Sequence, residues 1–178
     1  MHQLLPYFIA EGEKWVAEQR TLHRPGGALL SSAMRSMFEP FFDKEVLDGV
    51  RFKVVSQISN PGFYASLRAM ERPIPLDFGN MLGITFVDTV LLSQRFGGNW
   101  PRSLYFHELV HVVQYRVLGV AEFMKRYVRG WAEHECQYEA IPLEMDAYDL
   151  QALFEANPSQ VFSVQQEVAR RISRRATS

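Results

Sequence analysis

Apolar and polar side chains alternate along residues 50–58, and this stretch runs into the turn signal Asn60-Pro61-Gly62. The alternation predicts a strand that is half-buried in a sheet. Residues 83–92 are rich in β-branched and aromatic side chains, which predicts a second strand. Because two strands alone make a marginal sheet, we expect a helix to pack across one of its faces.

Residues 102–118 predict that helix. They follow Pro101, contain no helix breaker and precede Gly119, which we expect to end the helix. Their apolar residues lie nearly all round the helix, as is typical of a central helix. Weaker patterns predict helices over residues 3–20, 28–39, 121–129 and 142–156, and a last helix capped by Asn157-Pro158-Ser159 with an apolar stripe of Val161, Val164, Val168 and Ile172. Residues 63–80 are expected to be irregular, and 132–140 are ambiguous.

The composition is that of a soluble globular protein, with 178 residues of which 47% are apolar and 22% charged. We expect one domain over 1–178: N-terminal helices and a first strand in 1–80, the core in 83–150 and a C-terminal helix in 157–176. The formal charge of −1 argues against a surface built for nucleic acid. The lone Cys136 excludes an internal disulfide framework or a cysteine-based metal cluster.

The chain shows no targeting or membrane-spanning signal. Residues 1–10 are briefly apolar but lack a basic region, and the best apolar window, 81–92, contains Asp88. We therefore expect a cytoplasmic protein with no membrane span. We expect the arginines near the C-terminus, at positions 170, 171, 174 and 175, to form a solvated helix face.

The segment His107-Glu108-Leu109-Val110-His111 within the central helix carries the candidate chemistry. Histidines at i and i+4 project from one face, so both imidazoles can reach one cation. Glu108 can reach a water on that cation and is placed to act as a general base. This pattern is expected by chance only about 0.01 times in a chain of this composition. The alternative is that both histidines are core residues bonded to carbonyl groups.

A catalytic zinc site needs a third protein ligand. We favour Glu144, in the first turn of the helix that Pro142 opens, with Ala147 on the same face leaving room for the two helices to approach. His134 is the second choice, and a purely electrostatic role for Glu144 at its helix N-terminus is the alternative. Asp146 lies on a different face and is expected to be solvated. The other downstream acidic candidates are Glu133, Glu135, Glu139 and Asp149.

His107-Glu-x-x-His111 followed by Glu144-x-x-Ala147 resembles the gluzincin branch of zincin metallopeptidases. Residues 107–115 are especially similar to small predicted bacterial metallopeptidases. Gly119, Phe123, Tyr127 and Ile141-Pro142-Leu143-Glu144 match the order of motifs in those proteins. The resemblance covers about 83–150. It implies a minimal zincin-like α+β fold, in which a small mixed or antiparallel sheet packs on the buried helix and a ligand helix and a C-terminal helix follow.

The resemblance further implies Zn²⁺ held by His107, His111 and Glu144, with Glu108 as the catalytic base. The chain departs from larger family members in its longer spacing to Glu144 and in lacking a clear oxyanion-stabilising residue, for which Tyr138 and His134 are candidates. An acceptor for the second imidazole nitrogens could be Asp88 or Gln114. Residues 83–92 are the candidate edge strand for binding an extended peptide.

We therefore predict a zinc-dependent peptidase that acts on a peptide or protein substrate. One alternative is a zinc-binding domain of the same fold that serves as an interaction or accessory module without robust peptidase activity. Another is a metal-free helical adaptor that uses its arginine-rich end to bind nucleic acid or a membrane.

Overall fold

A computed structural model describes residues 4–69, 76–95, 97–134 and 137–176. The described residues form a mixed α and β structure. The helices are α1 (Leu5–His23), α2 (Ser32–Phe38), α3 (Lys44–Gly49), α4 (Tyr64–Ala69), α5 (Arg102–Glu133), α6 (Pro142–Ala156) and α7 (Val164–Ala176). The strands are β1 (Arg51–Val55), β2 (Gly83–Phe86) and β3 (Thr89–Ser93), and short 3₁₀ turns span Arg24–Gly26, Phe78–Asn80 and Tyr138–Ala140. The expected α+β class is confirmed.

The three described strands form one mixed sheet in the order β1-β3-β2, with β3 parallel to β1 and antiparallel to β2. The prediction of a single strand over 83–92 was wrong, because the chain reverses at Val87 and Asp88. Val87 has a φ of 64°, which is unfavourable for a β-branched residue. The Asp88 carboxylate accepts hydrogen bonds from Arg20 at 2.7 and 2.8 Å, so a tertiary contact holds a turn that contains no glycine.

The N-terminal half of the chain follows the predicted pattern with shifted boundaries. Residues 28–31 do not join the predicted helix, since Ala28 forms an antiparallel bridge with Phe52 at the sheet. Helix α2 starts after Ser31, whose side chain accepts a hydrogen bond from the backbone N–H of Met34. Part of the expected irregular connection is helical, as α4, while residues 70–75 lie outside the described residues.

Helix α5 is the centre of the molecule, as its apolar pattern predicts. At Gly119 the backbone leaves the helical conformation (φ 70°, ψ 168°), so the predicted end of the first helix is a kink. The helix continues beyond it to Glu133, further than the predicted 121–129. The buried side chains of the described residues include two hydrophobic clusters, and α5 contributes to each of them. Phe106 packs with Phe154 in one cluster, and Tyr115 lies with Trp15 in the other.

The C-terminal helix starts later than predicted. The Asn157 side chain accepts from the backbone N–H of Ser159 and forms a local turn instead of a cap. Helix α7 begins at Val164, where Ser163 accepts from the backbone N–H of Gln166. The stripe of Val164, Val168 and Ile172 is buried as predicted, whereas Val161 is 60% exposed.

The expected solvation of Asp146 was wrong: α7 covers its face of α6, and the residue is only 2% exposed. Arg171 and Arg175 both donate to its carboxylate, the latter through two nitrogens. The predicted arginine face is therefore only partly solvated, because these two side chains join α7 to α6. Among the described helices, none combines the length and apolarity that a membrane crossing requires.

Candidate metal centre

The imidazoles of His107 and His111 lie one turn apart on the same face of α5, as their spacing predicts. Their Nε2 atoms are 3.1 Å apart, and the residues are 4% and 5% exposed. Two imidazoles are expensive to bury in an apolar helix unless polar partners meet them. The two imidazoles therefore need a further polar group close to them.

That third group is the carboxylate of Glu144 in the first turn of α6. Its Oε2 atom lies 3.3 Å from Nε2 of His107 and 3.3 Å from Nε2 of His111. Tetrahedral zinc ligands at about 2.0–2.1 Å from the ion are about 3.3 Å from one another. These buried residues lie close enough to hold one metal ion, and their spacing fits tetrahedral coordination.

The two oxygens of Glu144 have different surroundings. Oε1 accepts a hydrogen bond from the Tyr127 hydroxyl at 2.8 Å. Oε2, which faces both imidazoles, is buried and has no hydrogen-bond partner among the described residues. Burial alone would raise the pKa of Glu144, but the imidazoles of His111 and His107 outweigh it and hold that pKa well below its ordinary value. The carboxylate is therefore ionised and offers Oε2 as a ligand atom.

A chain of two hydrogen bonds determines the tautomer of His111. Gln114 donates from Nε2 to the carbonyl oxygen of Leu143 at 2.9 Å, so its Oε1 atom is the acceptor for the other contact. His111 Nδ1 lies 2.8 Å from that Oε1 and must carry the proton. Its Nε2 then keeps a free lone pair for a metal ion. Gln114 thus fills the predicted orienting role for His111.

Asp88, the other predicted orienting residue, is not available to the histidines. It lies in the β2–β3 turn, where Arg20 and Arg24 bind its carboxylate. His107 Nδ1 is buried without a hydrogen-bond partner among the described residues. The ring of His107 instead packs against Tyr148, with ring centroids 4.6 Å apart.

The negative charge of the Glu144 carboxylate is balanced by positive charge at the imidazoles. Burial lowers the pKa of His111, but the Glu144 carboxylate more than reverses this and raises it to about 9. A proton on the imidazole can therefore neutralise Glu144, as a metal cation would. Metal binding and protonation compete for the same lone pair.

Glu108 adjoins the three candidate ligands and is 3% exposed. Thr85 on β2 donates to its Oε2 atom at 2.6 Å, and a Cβ added to Gly83 would lie 2.6 Å from its Oε1 atom. A residue larger than glycine at position 83 would therefore displace this carboxylate. Burial raises the pKa of Glu108 despite the neighbouring imidazoles of His107 and His111. A carboxylate with a raised pKa is a better proton acceptor near neutral pH.

No protein-family model, curated protein or solved structure matches this chain.

Of the remaining predicted site residues, Tyr138 lies beside the candidate metal centre and His134 does not. Tyr138 lines a pocket beside Glu108 and Glu144, and burial together with the Glu144 charge raises its pKa well above the ordinary value. His134 is exposed at the C-terminal end of α5, where its Nδ1 lies 2.7 Å from the Gly130 carbonyl oxygen. Among the other acidic candidates, Glu133, Glu139 and Asp149 are exposed, Asp146 pairs with arginines, and Glu135 lies outside the described residues.

Three contacts at the centre were missed by sequence reasoning. Tyr127 belongs to the motif order that the sequence shows, but only the structure reveals that its hydroxyl donates to Oε1 of Glu144. Tyr148 lies four residues after Glu144, so helical spacing could have placed it on the ligand face. Thr85 gave no signal, because its contact with Glu108 spans 23 residues and depends on how β2 packs on α5.

Proposed function

We propose that this protein is a zinc-dependent peptidase of the gluzincin type. The observation that carries the proposal is the group formed by His107, His111 and Glu144, whose ligand atoms are mutually 3.1–3.3 Å apart, with Glu108 buried beside it. The resemblance of residues 107–115 and 141–144 to small bacterial metallopeptidases supports the same assignment.

The donor set favours zinc. Two imidazole nitrogens and one carboxylate oxygen form the usual protein ligand set of zinc hydrolases, which leaves a position for water or substrate. His107, His111 and Glu144 would hold the ion, and Gln114 and Tyr127 would orient two of these ligands. When bound, the ion supplies Lewis acidity that activates water and polarises a carbonyl group.

Glu108 is the general base in this proposal. Thr85 occupies its Oε2 atom and the Gly83 backbone lies against its Oε1 side, so the carboxylate is held in one orientation. Glu108 takes a proton from the attacking water and passes it to the leaving amine. Its raised pKa, caused mainly by burial, suits both steps.

Strand β2 is the candidate for holding the peptide backbone. It pairs with β3 along one side and has no strand partner on its other edge among the described residues, which makes that edge the candidate for pairing with an extended chain. The predicted edge strand over 83–92 is therefore narrowed to residues 83–86, because β3 lies at the centre of the described sheet. Thr85 of β2 contacts Glu108 directly, which would bring a paired peptide close to the base.

Tyr138 is the candidate donor to the substrate oxyanion. It shares a pocket with Glu108 and Glu144, and its raised pKa keeps the hydroxyl protonated at neutral pH. A neutral hydroxyl can donate a hydrogen bond to a developing oxyanion. The exposed His134 is the weaker candidate, since it is not among the residues that line this pocket.

A structural zinc site is the second candidate function. The observation that favours it is burial: His107, His111 and Glu144 are each at most 5% exposed, so little of the site is open to a large substrate. In that case the protein would be an interaction or accessory module that binds zinc without cleaving peptides.

Glu108→Gln distinguishes the two functions. The amide keeps the shape of the side chain but cannot accept the proton of water, so we expect zinc content near one per chain and a loss of peptide hydrolysis of at least about 1000-fold. Zinc would be measured on untagged protein, and hydrolysis on a mixed peptide library by mass spectrometry. Unchanged turnover in the variant would contradict the mechanism, and absence of turnover in the wild type would favour the structural site.

A further inference from the structure

Strand β2 contributes two close neighbours of the Glu108 carboxylate. Thr85 Oγ1 lies 2.6 Å from Oε2 of Glu108 and 3.1 Å from its backbone carbonyl oxygen, and both contacts are buried. At the other oxygen, a Cβ added to Gly83 would lie 2.6 Å from Oε1. A displacement of β2 would therefore change the surroundings of both carboxylate oxygens at once.

The position of β2 depends on the turn that joins it to β3. Strand β3 is its only strand partner among the described residues, and their pairing ends with Phe86 opposite Thr89. Val87 and Asp88 therefore form a two-residue turn. In a hairpin, the turn sets the register and twist of the two strands. Because Thr85 lies only two positions before Val87, a change in the turn is transmitted to its side chain.

Val87 has a backbone conformation that its side chain disfavours. Its φ of 64° is the only positive value of a non-glycine residue in the described part of the chain. Two-residue hairpin turns place glycine, asparagine or aspartate at such positions, and a β-branched residue there is an outlier. A strained conformation of this kind persists only where the surrounding structure enforces it. Contacts from outside the hairpin must therefore supply that constraint.

Asp88, the second residue of the turn, makes those contacts. Arg20 of α1 donates through Nε and Nη2 to the two carboxylate oxygens, at 2.7 and 2.8 Å. Arg24 places Nη1 3.0 Å from Oδ1 and donates to the backbone carbonyl oxygen of Asp88 at 3.3 Å. The backbone N–H of Arg51 donates to the same carbonyl oxygen at 2.9 Å. A two-point pair between arginine and a carboxylate fixes direction as well as distance, so these contacts fix the orientation of the turn relative to α1 and β1.

We propose that Asp88 is a positioning residue for Glu108. Its ion pairs with Arg20 and Arg24 keep the strained turn in place, and the turn keeps Thr85 of β2 against the Glu108 carboxylate. Only the role of Glu108 as a base rests on the proposed peptidase function. The dependence of its orientation on Asp88 rests on the contacts between the described residues.

Carbon-13 NMR of the Glu108 side-chain carboxyl group tests the orientation without catalysis. The signal is assigned as the one that Glu108→Gln removes, and Thr85→Val shows where it moves when the Thr85 hydroxyl is lost. We expect Asp88→Ala to move the signal in the same direction as Thr85→Val, at one fixed pH and with equal metal content in all proteins. A folded Asp88→Ala variant with the wild-type signal would overturn the proposal.

Glycine at position 87 distinguishes positioning of Glu108 from simple attachment of α1. Glycine adopts a positive φ without strain, so a turn with Val87→Gly no longer needs the ion pairs to keep its shape. We expect Val87→Gly combined with Asp88→Ala to return the Glu108 signal to its wild-type position, and Val87→Gly alone to leave it there. If Asp88 only attached α1 to the sheet, glycine could not replace it. Failure of the double variant to recover the signal would therefore overturn the proposal.

Asp48→Ala is the matched control for the loss of an ion pair. Asp48 also pairs with two cations, Arg35 and Lys44, but it lies on α3. This variant should leave the Glu108 signal unchanged. A shift as large as that of Asp88→Ala would overturn the proposal, because the signal would then respond to any lost ion pair.

Arg20→Met serves if Asp88→Ala fails to fold. It removes the two-point pair and leaves Arg24 on the Asp88 carboxylate. We expect the Glu108 signal to move in the direction set by Thr85→Val. An unchanged signal in this folded variant would overturn the proposal.

Hydrolysis of the peptide library separates failure of this inference from failure of the proposed function. For a peptidase, Asp88→Ala should lower kcat/KM of the best-cleaved peptide about 10–100-fold, since a small misplacement of a reacting group is costly, and added Val87→Gly should restore it. A Glu108 signal that follows Asp88 in a protein without hydrolysis would keep the positioning role and reject the peptidase. Hydrolysis that Asp88→Ala leaves unchanged would keep the peptidase and reject the positioning role.

Discussion

Glu144 and Asp146 are two buried carboxylates on α6, each 2% exposed, and the protein neutralises them in different ways. Asp146 points towards α7 and receives hydrogen bonds from Arg171 and Arg175, whose charges are permanent. Glu144 points towards α5 and meets two imidazoles, and an imidazole is charged only when both of its ring nitrogens carry a proton. Helix α6 thus carries a carboxylate paired with permanent charges on the face towards α7. On the face towards α5 it carries a carboxylate that has no permanently charged partner among the described residues.

The difference explains why only one of these carboxylates is a ligand candidate. Both oxygens of Asp146 accept hydrogen bonds from guanidinium groups, so no lone pair is directed at an open position. Glu144 keeps Oε2 without a hydrogen bond, next to the Nε2 atoms of both imidazoles. Burial alone does not identify a functional carboxylate, and the chemistry of its partners does.

Of the substitutions that test this difference, Glu144→Ala should have the largest effect, and the effect is on zinc affinity. Removing a direct ligand should lower zinc affinity by more than about 100-fold, beyond the loss expected for a group that only orients a ligand. Competition with a chelating dye measures the affinity. Asp146→Ala is the matched control and should bind zinc within a few-fold of the wild type. Equal losses of zinc affinity in both variants would contradict the proposal that Glu144, and not Asp146, is a metal ligand.

Gln114→Leu should weaken zinc binding about 10–100-fold, because His111 loses the acceptor that sets its tautomer. Gln114→Glu keeps an acceptor for His111 Nδ1 but cannot donate to the Leu143 carbonyl, so its affinity should lie between those of Gln114→Leu and the wild type. The same chelator competition measures both. Wild-type affinity in Gln114→Leu would remove Gln114 from the proposed site.

Asp146→Ala should instead lower the free energy of unfolding by about 2 kcal/mol, since it leaves two arginines without their buried partner. The loss is below that of a fully buried pair because Arg175 is 40% exposed and can turn to solvent. Urea denaturation of zinc-free protein measures it. Asp149→Ala removes a 63% exposed partner of Arg171 and should cost less than about 0.5 kcal/mol. A similar cost for both would mean that burial of Asp146 adds nothing.

Local patterns predicted the elements that carry the site. The apolar residues before Gly119 predict the central helix, and Pro142 predicts the start of α6, because helix periodicity and breakers act over a few residues. The spacing of His107 and His111 likewise predicts a shared face. The β2–β3 turn was missed because Val87 is β-branched, which favours a strand, and because the contact that holds the turn comes from Arg20, far away in the chain.

The amino-acid sequence by itself determined that two histidines share one helical turn beside Glu108 and that a helix opens at Pro142, since these features depend on neighbours along the chain. Only the tertiary structure decided that Glu144 meets the imidazoles, that Thr85 holds Glu108 and that α7 covers Asp146. Those contacts join residues 23 to 37 positions apart and depend on how helices and strands pack. A helical pattern indicates which residues share a face, but only the packing of the helices and strands determines which residues that face contacts.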